Sequence, residues 1–209
     1  RLQDLCEGMF DKMFNRGSIS DEELFNKNTI IDLSRTGSAE TNALIMGFLV
    51  IKLNEFRMSE GGMNKSLRHV TVLEEAHNLL RKVSISQSME TANVAGKSVE
   101  MITNSIAEMR TYGESFIIVD QSPSMLDSAA IRNTNTKIVL SLPDTEDRKV
   151  AGGSMSLSEE QIDEIARQNQ GEAIVYQNHW EEPVQCKVDR FEDYVNDYVY
   201  TKSTLFNKK

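Results

Sequence analysis

The sequence has only two cysteines and no long apolar run, and both absences narrow the kinds of protein that it can encode. Cys6 and Cys186 stand alone, without CxxC spacing, so a disulfide framework and a structural zinc site are both disfavoured. The most apolar stretch, residues 43–53, is too short to cross a bilayer and contains Lys52. The first residues do not have the pattern of a signal peptide. We therefore expect a cytoplasmic protein with no membrane segment.

Basic charge is also scarce in this chain. It has 23 lysines and arginines against 32 aspartates and glutamates, which gives a formal net charge of −9. This balance disfavours a broad basic face, so any contact with nucleic acid is expected to be local, such as a loop or a few basic residues on one edge. The 209 residues fit one domain that can bury a substantial core.

The most informative stretch is HVTVLEEAHNLL, residues 69–80. Its short apolar run, residues 70–73, is rich in β-branched residues and predicts a buried strand. Two adjacent acids, Glu74 and Glu75, follow this strand directly. Ligands of open α/β sheets bind beyond the carboxyl ends of the strands, where one acid can hold hydrated Mg²⁺ and its neighbour can activate water. Alternatively, the two acids only begin the next helix, whose positive end favours negative charge.

Short apolar runs and helical patterns alternate along the chain. Strands are predicted over residues 29–33, 70–73, 115–120, 136–142, 172–177 and 184–188. Helices are predicted over residues 2–15, 21–25, 39–58, 97–111, 124–132, 143–150, 156–166 and 189–200, and a loop over residues 83–95. This alternation predicts an α/β fold with a mostly parallel sheet and helices on both faces.

Five segments in order carry a resemblance to a known family: TIIDLS, TVLEEAHNLL, AEMRTYGESFIIVDQSPSML, IRNTNTKIVLSLPDTED and NQGEAIVY. Together they resemble the HerA–FtsK superfamily of P-loop ATPases, and its HerA-like branch in particular, over most of residues 28–188. The resemblance implies that residues 1–188 are the C-terminal part of a RecA-like P-loop NTPase core, incomplete at the N-terminus, with residues 189–209 as a C-terminal helix and tail. It also implies ATP and Mg²⁺ as cofactors, a homo-oligomeric hexameric ring, movement of DNA or a polypeptide, and a nuclease or secretion partner.

The same resemblance implies roles for individual residues. Glu74 corresponds to the Walker B acid, which acts on Mg²⁺ through water, and Glu75 to the catalytic acid that polarises the attacking water. Gln121 corresponds to the γ-phosphate sensor, and Arg110 to an arginine finger that reaches a nucleotide on the next subunit. Two residues depart from the pattern. Glu74 stands where many P-loop ATPases have aspartate, and Asp120 occupies a position that is usually uncharged.

The phosphate-binding loop GxxxxGK[ST] has one imperfect candidate, Gly96-Lys97-Ser98, in this sequence. Thr91 stands at the position of its first glycine, and the candidate follows Glu75 in the chain, whereas the P-loop comes first in the family. We therefore expect the P-loop strand upstream of Arg1. The 209-residue chain alone is then expected to bind ATP weakly or not at all, and not to hydrolyse it.

Two other functions remain open at this point. A catalytically degenerate ATPase-like domain could serve only as an assembly scaffold. A carboxylate–histidine metalloenzyme would use the Glu-x-x-His spacing of Glu74 and His77, but it needs a second such pair. His69 and His179 have no acid three residues before them. A serine hydrolase is disfavoured because the sequence has no GxSxG motif.

Overall fold

The computed structural model describes residues 19–82 and 89–190, with the side chains of residues 89–95 left out of the description. The helix predicted over residues 2–15 lies outside the described residues, as does most of the one predicted over 189–200. The chain divides into two compact units, Arg1–Thr134 and Asn135–Lys209.

Among its described residues, the first unit has a pair of parallel strands and four α-helices. The elements are α1 (Asp21–Phe25), α2 (Ala39–Ser59), β1 (His69–Glu74), α3 (Met89–Met109), β2 (Glu114–Val119) and α4 (Ser128–Asn133), with 3-10 turns at Ala76–Asn78, Arg110–Tyr112 and Pro123–Met125. β1 and β2 pair in register, so that Glu74 lies opposite Val119. The two strands therefore end at the same edge of the sheet.

Local sequence signals explain where several of these elements begin. The side chain of Ser38 caps α2 by accepting a hydrogen bond from the backbone N–H of Thr41. Gly113 precedes β2 with φ +83°, and a Cβ atom at this position would lie 2.4 Å from the carbonyl oxygen of Ser66. Only glycine fits both the left-handed backbone and this close approach. Gly113 thus fixes the turn from which β2 starts.

The core of the first unit lies on one face of the strand pair. Leu73 is buried there with Leu53, Leu80 and Met109, and the helices cover this face. On the opposite face Val72 is 58% exposed and Ile117 50% exposed. Within the described residues, helices therefore cover one face of this sheet rather than both.

A buried ion pair joins α2 to the start of β2. The Nε of Arg57 lies 3.0 Å from Oε2 of Glu114, and both side chains are 0% exposed. Neighbouring groups complete the hydrogen bonding: Asn26 Oδ1, the Phe25 carbonyl and Glu60 accept from Arg57, and His69 and Thr71 contact Oε1 of Glu114. A buried pair is tolerated when its polar atoms are satisfied in this way.

Two sequence predictions in this unit are wrong. Residues 29–33 are irregular rather than a strand; Ile30 is 78% exposed, and no described strand pairs with this segment. An apolar run without a pairing partner has no ladder to hold it extended. The second error is the loop predicted over residues 83–95: residues 83–88 lie outside the described residues, but α3 begins at Met89.

The described part of the second unit, residues 135–190, forms an antiparallel sheet with two short helices. Its elements are β3 (Thr136–Val139), α5 (Thr145–Gly153), α6 (Glu159–Glu164), β4 (Glu172–Gln177) and β5 (Val184–Lys187), with a 3-10 turn at Ile165–Arg167. The strand order is β3-β4-β5, and both pairings are antiparallel. The α/β class is thus confirmed, but among the described strands only β1 and β2 pair in parallel.

Candidate functional site

The carboxyl ends of β1 and β2 bring Glu75 and Gln121 into direct contact. Glu75 follows the last residue of β1, and Gln121 comes two residues after the end of β2. The Nε2 group of Gln121 donates a hydrogen bond to Oε1 of Glu75 at 2.7 Å. This edge is where open α/β sheets bind their ligands. The structure therefore places these two predicted site residues together, although they are 46 positions apart in the sequence.

Glu75 has an unusual backbone conformation. Its φ of 51° and ψ of 50° lie in the left-handed region, directly before the 3-10 turn Ala76–Asn78. The carbonyl oxygen of Glu75 accepts hydrogen bonds from the backbone and side-chain amides of Asn78, both at 3.0 Å. A non-glycine residue in this region costs roughly 1–3 kcal/mol and persists only where its surroundings hold it. The sharp end of β1 thus fixes the direction in which the Glu75 side chain leaves the strand.

Asp120 and His77 form a second pair behind this contact. The Asp120 side chain is only 3% exposed. Its Oδ2 accepts from the backbone N–H of His77 at 2.7 Å and lies 3.0 Å from the ring Nδ1 of His77. Its Oδ1 accepts from the N–H of Ser122 at 2.8 Å. The sequence indicates that His77 packs against or hydrogen bonds to this edge, but its pairing with Asp120 was not predicted; the available signal was an acid at the end of an apolar strand.

Glu74 is an exposed acid at the carboxyl end of β1. Its side chain lies on the exposed face of the β1–β2 pair, beside Val72. Within the described residues there is no group of three or more histidine, cysteine, aspartate or glutamate side chains that could hold a metal ion. Mg²⁺ usually takes one or two carboxylates and completes its octahedral shell with water and phosphate oxygens. The residues at this edge suit Mg²⁺ in that form and not as an all-protein site.

Arg110 lies at the opposite end of the strands. It begins the 3-10 turn Arg110–Tyr112 that precedes β2, and it is exposed. The five steps along β2 from Glu114 to Val119 span about 17 Å at ~3.3 Å per residue. The structure therefore does not bring Arg110 together with Glu75 and Gln121 of its own chain.

Gly96-Lys97-Ser98 does not form a phosphate-binding loop. These residues lie well inside α3, which begins at Met89. A P-loop presents free backbone N–H groups at a helix start, whereas N–H groups in the middle of a helix bond to carbonyls of the preceding turn. The sequence candidate for this role is thus removed.

The metalloenzyme alternative assumed that Glu74 and His77 lie on one face of a helix, and this assumption is wrong. Glu74 is the last residue of a strand and His77 belongs to a 3-10 turn, so the two do not project from one helical face. The Nδ1 of His77 lies against Asp120. His69 lies at the other end of β1, with its Nδ1 2.8 Å from Oε1 of Glu114.

Comparison with known proteins agrees with these motifs. No protein-family model matches the chain. It is 28% identical over 182 residues to the DNA double-strand break repair helicase HerA of Sulfurisphaera tokodaii, covering 86% of this chain and 35% of that protein. It is 28% identical over 196 residues to the HerA of Sulfolobus acidocaldarius, covering 92% of this chain and 38% of that protein. The chain thus spans little more than a third of these relatives.

Solved structures share the fold at low sequence identity. The genome packaging NTPase B204 from Sulfolobus turreted icosahedral virus 2, in complex with AMP, aligns with a TM-score of 0.54 at 12% identity, covering 83% of this chain and 73% of that one. VirB4 of Thermoanaerobacter pseudethanolicus aligns with a TM-score of 0.53 at 16% identity, covering 74% and 39%. No helix among the described residues is long and apolar enough to span a membrane. The resemblance to the HerA–FtsK superfamily of P-loop ATPases, and to its HerA-like branch, is confirmed by this similarity in sequence and in fold.

Proposed function

We propose that this chain is part of an ATP-hydrolysing motor of the HerA type. The observation that supports this best is the contact between Gln121 and Glu75 at the carboxyl ends of two parallel strands. A carboxylate next to an amide at this edge is the arrangement needed to orient a water molecule toward a phosphoryl group. The buried Asp120 beneath it argues against a site that has decayed into a scaffold.

Each residue at this edge has a distinct task in the proposed reaction. Glu75 accepts a hydrogen bond from the attacking water and takes up its proton. Gln121 holds the Glu75 carboxylate through Oε1 and offers its amide to the γ-phosphate. Glu74 would hold the hydrated cation through water. Bound Mg²⁺ would supply positive charge to the phosphate oxygens as negative charge develops there.

Arg110 completes the site of a neighbouring subunit in this proposal. Its place at the far end of β2 separates it from Glu75 of its own chain, so an arginine finger at this position must act across an interface. Subunits that each carry Glu75 at one edge and Arg110 at the other can form a closed ring with a site at every interface. A hexameric ring is the assembly that we propose.

The proposed motor uses ATP and Mg²⁺ and moves DNA. Two HerA relatives are named as DNA repair helicases and the viral neighbour as a genome packaging NTPase, which favours DNA over a polypeptide. The net charge of −9 limits DNA contact to a small basic region. We further propose a cytoplasmic location and a nuclease partner, or a secretion partner if the polymer is a polypeptide.

The phosphate-binding loop lies outside the described residues in this proposal, with residues 1–188 as part of the ATPase domain and 189–209 as its tail. Acids at a strand end hold Mg²⁺ only loosely when no phosphate bridges it. We therefore expect no ATP hydrolysis by the 209-residue chain alone. Calorimetry with Mg-ATP checks this, and micromolar binding with steady phosphate release would contradict it.

Substitution of Glu75 by glutamine in the full-length protein tests the proposed function. Glu75→Gln removes the proton acceptor but keeps the size of the side chain, so ATP binding should persist while hydrolysis falls by at least ~10²-fold. The control is Glu182→Gln, which changes an exposed acid of the second unit and should hydrolyse ATP like the wild type. Near-normal turnover by Glu75→Gln would refute the assignment. Absence of ATP binding by the wild type would favour an assembly scaffold instead.

A further inference from the structure

The Asp120 carboxylate has more hydrogen-bonding contacts than a turn requires. A turn that closes on an aspartate needs one acceptor, which is the bond from Ser122 N–H to Oδ1. The second oxygen faces His77, with contacts to both its backbone N–H and its ring. Burial of a carboxylate is costly unless hydrogen bonds offset it. We therefore attribute the burial of Asp120 to its two contacts with His77.

The contact with Asp120 fixes the tautomer of His77. An ionised carboxylate only accepts hydrogen bonds, so the ring nitrogen 3.0 Å from Oδ2 must carry a proton. His77 thus has its hydrogen on Nδ1, and the ring cannot rotate without losing this bond. The same Nδ1 lies 3.5 Å from Oε2 of Glu75. The Nδ1 edge of the ring therefore faces both the buried acid and the proposed catalytic acid.

The Glu75 carboxylate has few other restraints. Its side chain is 42% exposed, so packing does not fix its rotamer. Gln121 contacts Oε1, and the His77 ring faces Oε2. Gln121 therefore holds Oε1 by a hydrogen bond, whereas the Nδ1–H of His77, whose hydrogen bond goes to Asp120, gives Oε2 only a longer electrostatic contact; loss of either contact leaves the carboxylate freer to rotate.

We propose that Asp120 is a positioning residue: by holding the Nδ1–H edge of His77 beside Oε2 of Glu75, it orients the Glu75 carboxylate through an electrostatic contact at 3.5 Å. This inference rests on the proposed function, because it assigns a role in the activation of water by Glu75. Asp120 itself does not touch the reacting groups. It would explain why an acid stands at a position that the family usually leaves uncharged.

Matched substitutions in the full-length protein separate positioning from stability. Asp120→Asn keeps the shape but has only one acceptor oxygen, so it cannot serve both Ser122 and His77. His77→Phe removes the ring donor, and His77→Asn can place an amide N–H near the position of Nδ1. We expect Asp120→Asn and His77→Phe to lower kcat by at least ~10-fold while KM for ATP changes less than ~3-fold, since misplacement of a catalytic group affects the chemical step. His77→Asn should recover most of kcat.

Asp163→Asn is the control for the change of an aspartate, because that side chain is 72% exposed on α6. Thermal midpoints are measured for every variant. If Asp120→Asn does not fold, the comparison of His77→Phe with His77→Asn decides: equal kcat values for these two would overturn the proposal.

A readout independent of ATP hydrolysis is the histidine tautomer. In protein labelled with 15N-histidine, His77 should show the Nδ1–H tautomer in the wild type and lose it in Asp120→Asn. An Nε2–H tautomer in the wild type would overturn the proposal. Failure of the proposed function looks different: turnover would survive Glu75→Gln. If Glu75→Gln is inactive while Asp120→Asn and His77→Phe turn over normally, only the positioning role is refuted.

Discussion

Replacement of Arg57 by methionine should destabilise the first unit more than any exposed arginine substitution. Methionine keeps most of the length of the side chain but leaves the Glu114 carboxylate buried without its cation. Removal of one partner of a buried ion pair typically costs ~3–5 kcal/mol. Glu114 keeps two neighbours on Oε1, His69 and Thr71, so we expect the lower end of this range, about 3 kcal/mol. Domains are stable by only ~5–15 kcal/mol, so this loss is large.

Native-state hydrogen exchange of the β1 and β2 amides in the full-length protein measures this loss where it occurs. A change of about 3 kcal/mol lowers protection by roughly 100-fold, since 1.4 kcal/mol corresponds to a factor of ten. The control Arg167→Met breaks an exposed pair with Glu164, in which the two side chains are 73% and 61% exposed. That change should cost less than ~1 kcal/mol.

The double variant Arg57→Met/Glu114→Met tests the reasoning further. Replacement of both charges with apolar side chains removes the unpaired carboxylate, so at least half of the lost protection should return. Unchanged protection in the single variant Arg57→Met would refute the view that this pair holds α2 to the strand pair. No recovery in the double variant would show that the loss comes from packing rather than from buried charge.

Two further predictions follow from the edges of the first unit. Arg110→Ala should lower hydrolysis by ~10³-fold or more without weakening nucleotide binding to isolated subunits. Mixtures of this variant with Glu75→Gln subunits should regain partial activity. No recovery at any mixing ratio would count against action across an interface. Burial acts to raise the pKa of Glu60, but hydrogen bonds from Arg68 and Arg57 outweigh it and hold the pKa below its ordinary value of 4.5. This lowered pKa contributes stability that is present above about pH 4.5 and is lost as the pH falls further. Glu60→Gln should therefore make the melting temperature fall less steeply at acid pH. An unchanged slope of melting temperature against pH would contradict this.

The local sequence identified the strand ends that carry the site. An apolar run closed by Glu74 and Glu75 was sufficient to predict a ligand-binding edge, and the resemblance to the HerA–FtsK superfamily added Gln121 to it. This works because parallel strands align their carboxyl ends, so residues far apart in sequence meet whenever their strands are neighbours. The contact of Gln121 with Glu75 agrees with that expectation.

Local sequence patterns were less able to predict which distant segments pair as strands. Residues 29–33 and 70–73 look alike as apolar runs, yet only the second forms a strand in the described structure, because β2 pairs with it. β3, β4 and β5 pair antiparallel among themselves. Strand order and direction depend on which partner is available, and a local pattern does not contain that information.

The sequence by itself determined the α/β class, the resemblance to the HerA–FtsK superfamily and the candidate site residues Glu74, Glu75, Gln121 and Arg110. Only the tertiary structure decided that Glu75 has a left-handed backbone, that Asp120 is buried against His77, and that Arg110 lies at the opposite end of β2. The physical reason is that charge and hydrophobicity are properties of single residues and their close neighbours. Burial and hydrogen-bond partners depend instead on residues that folding brings from elsewhere in the chain.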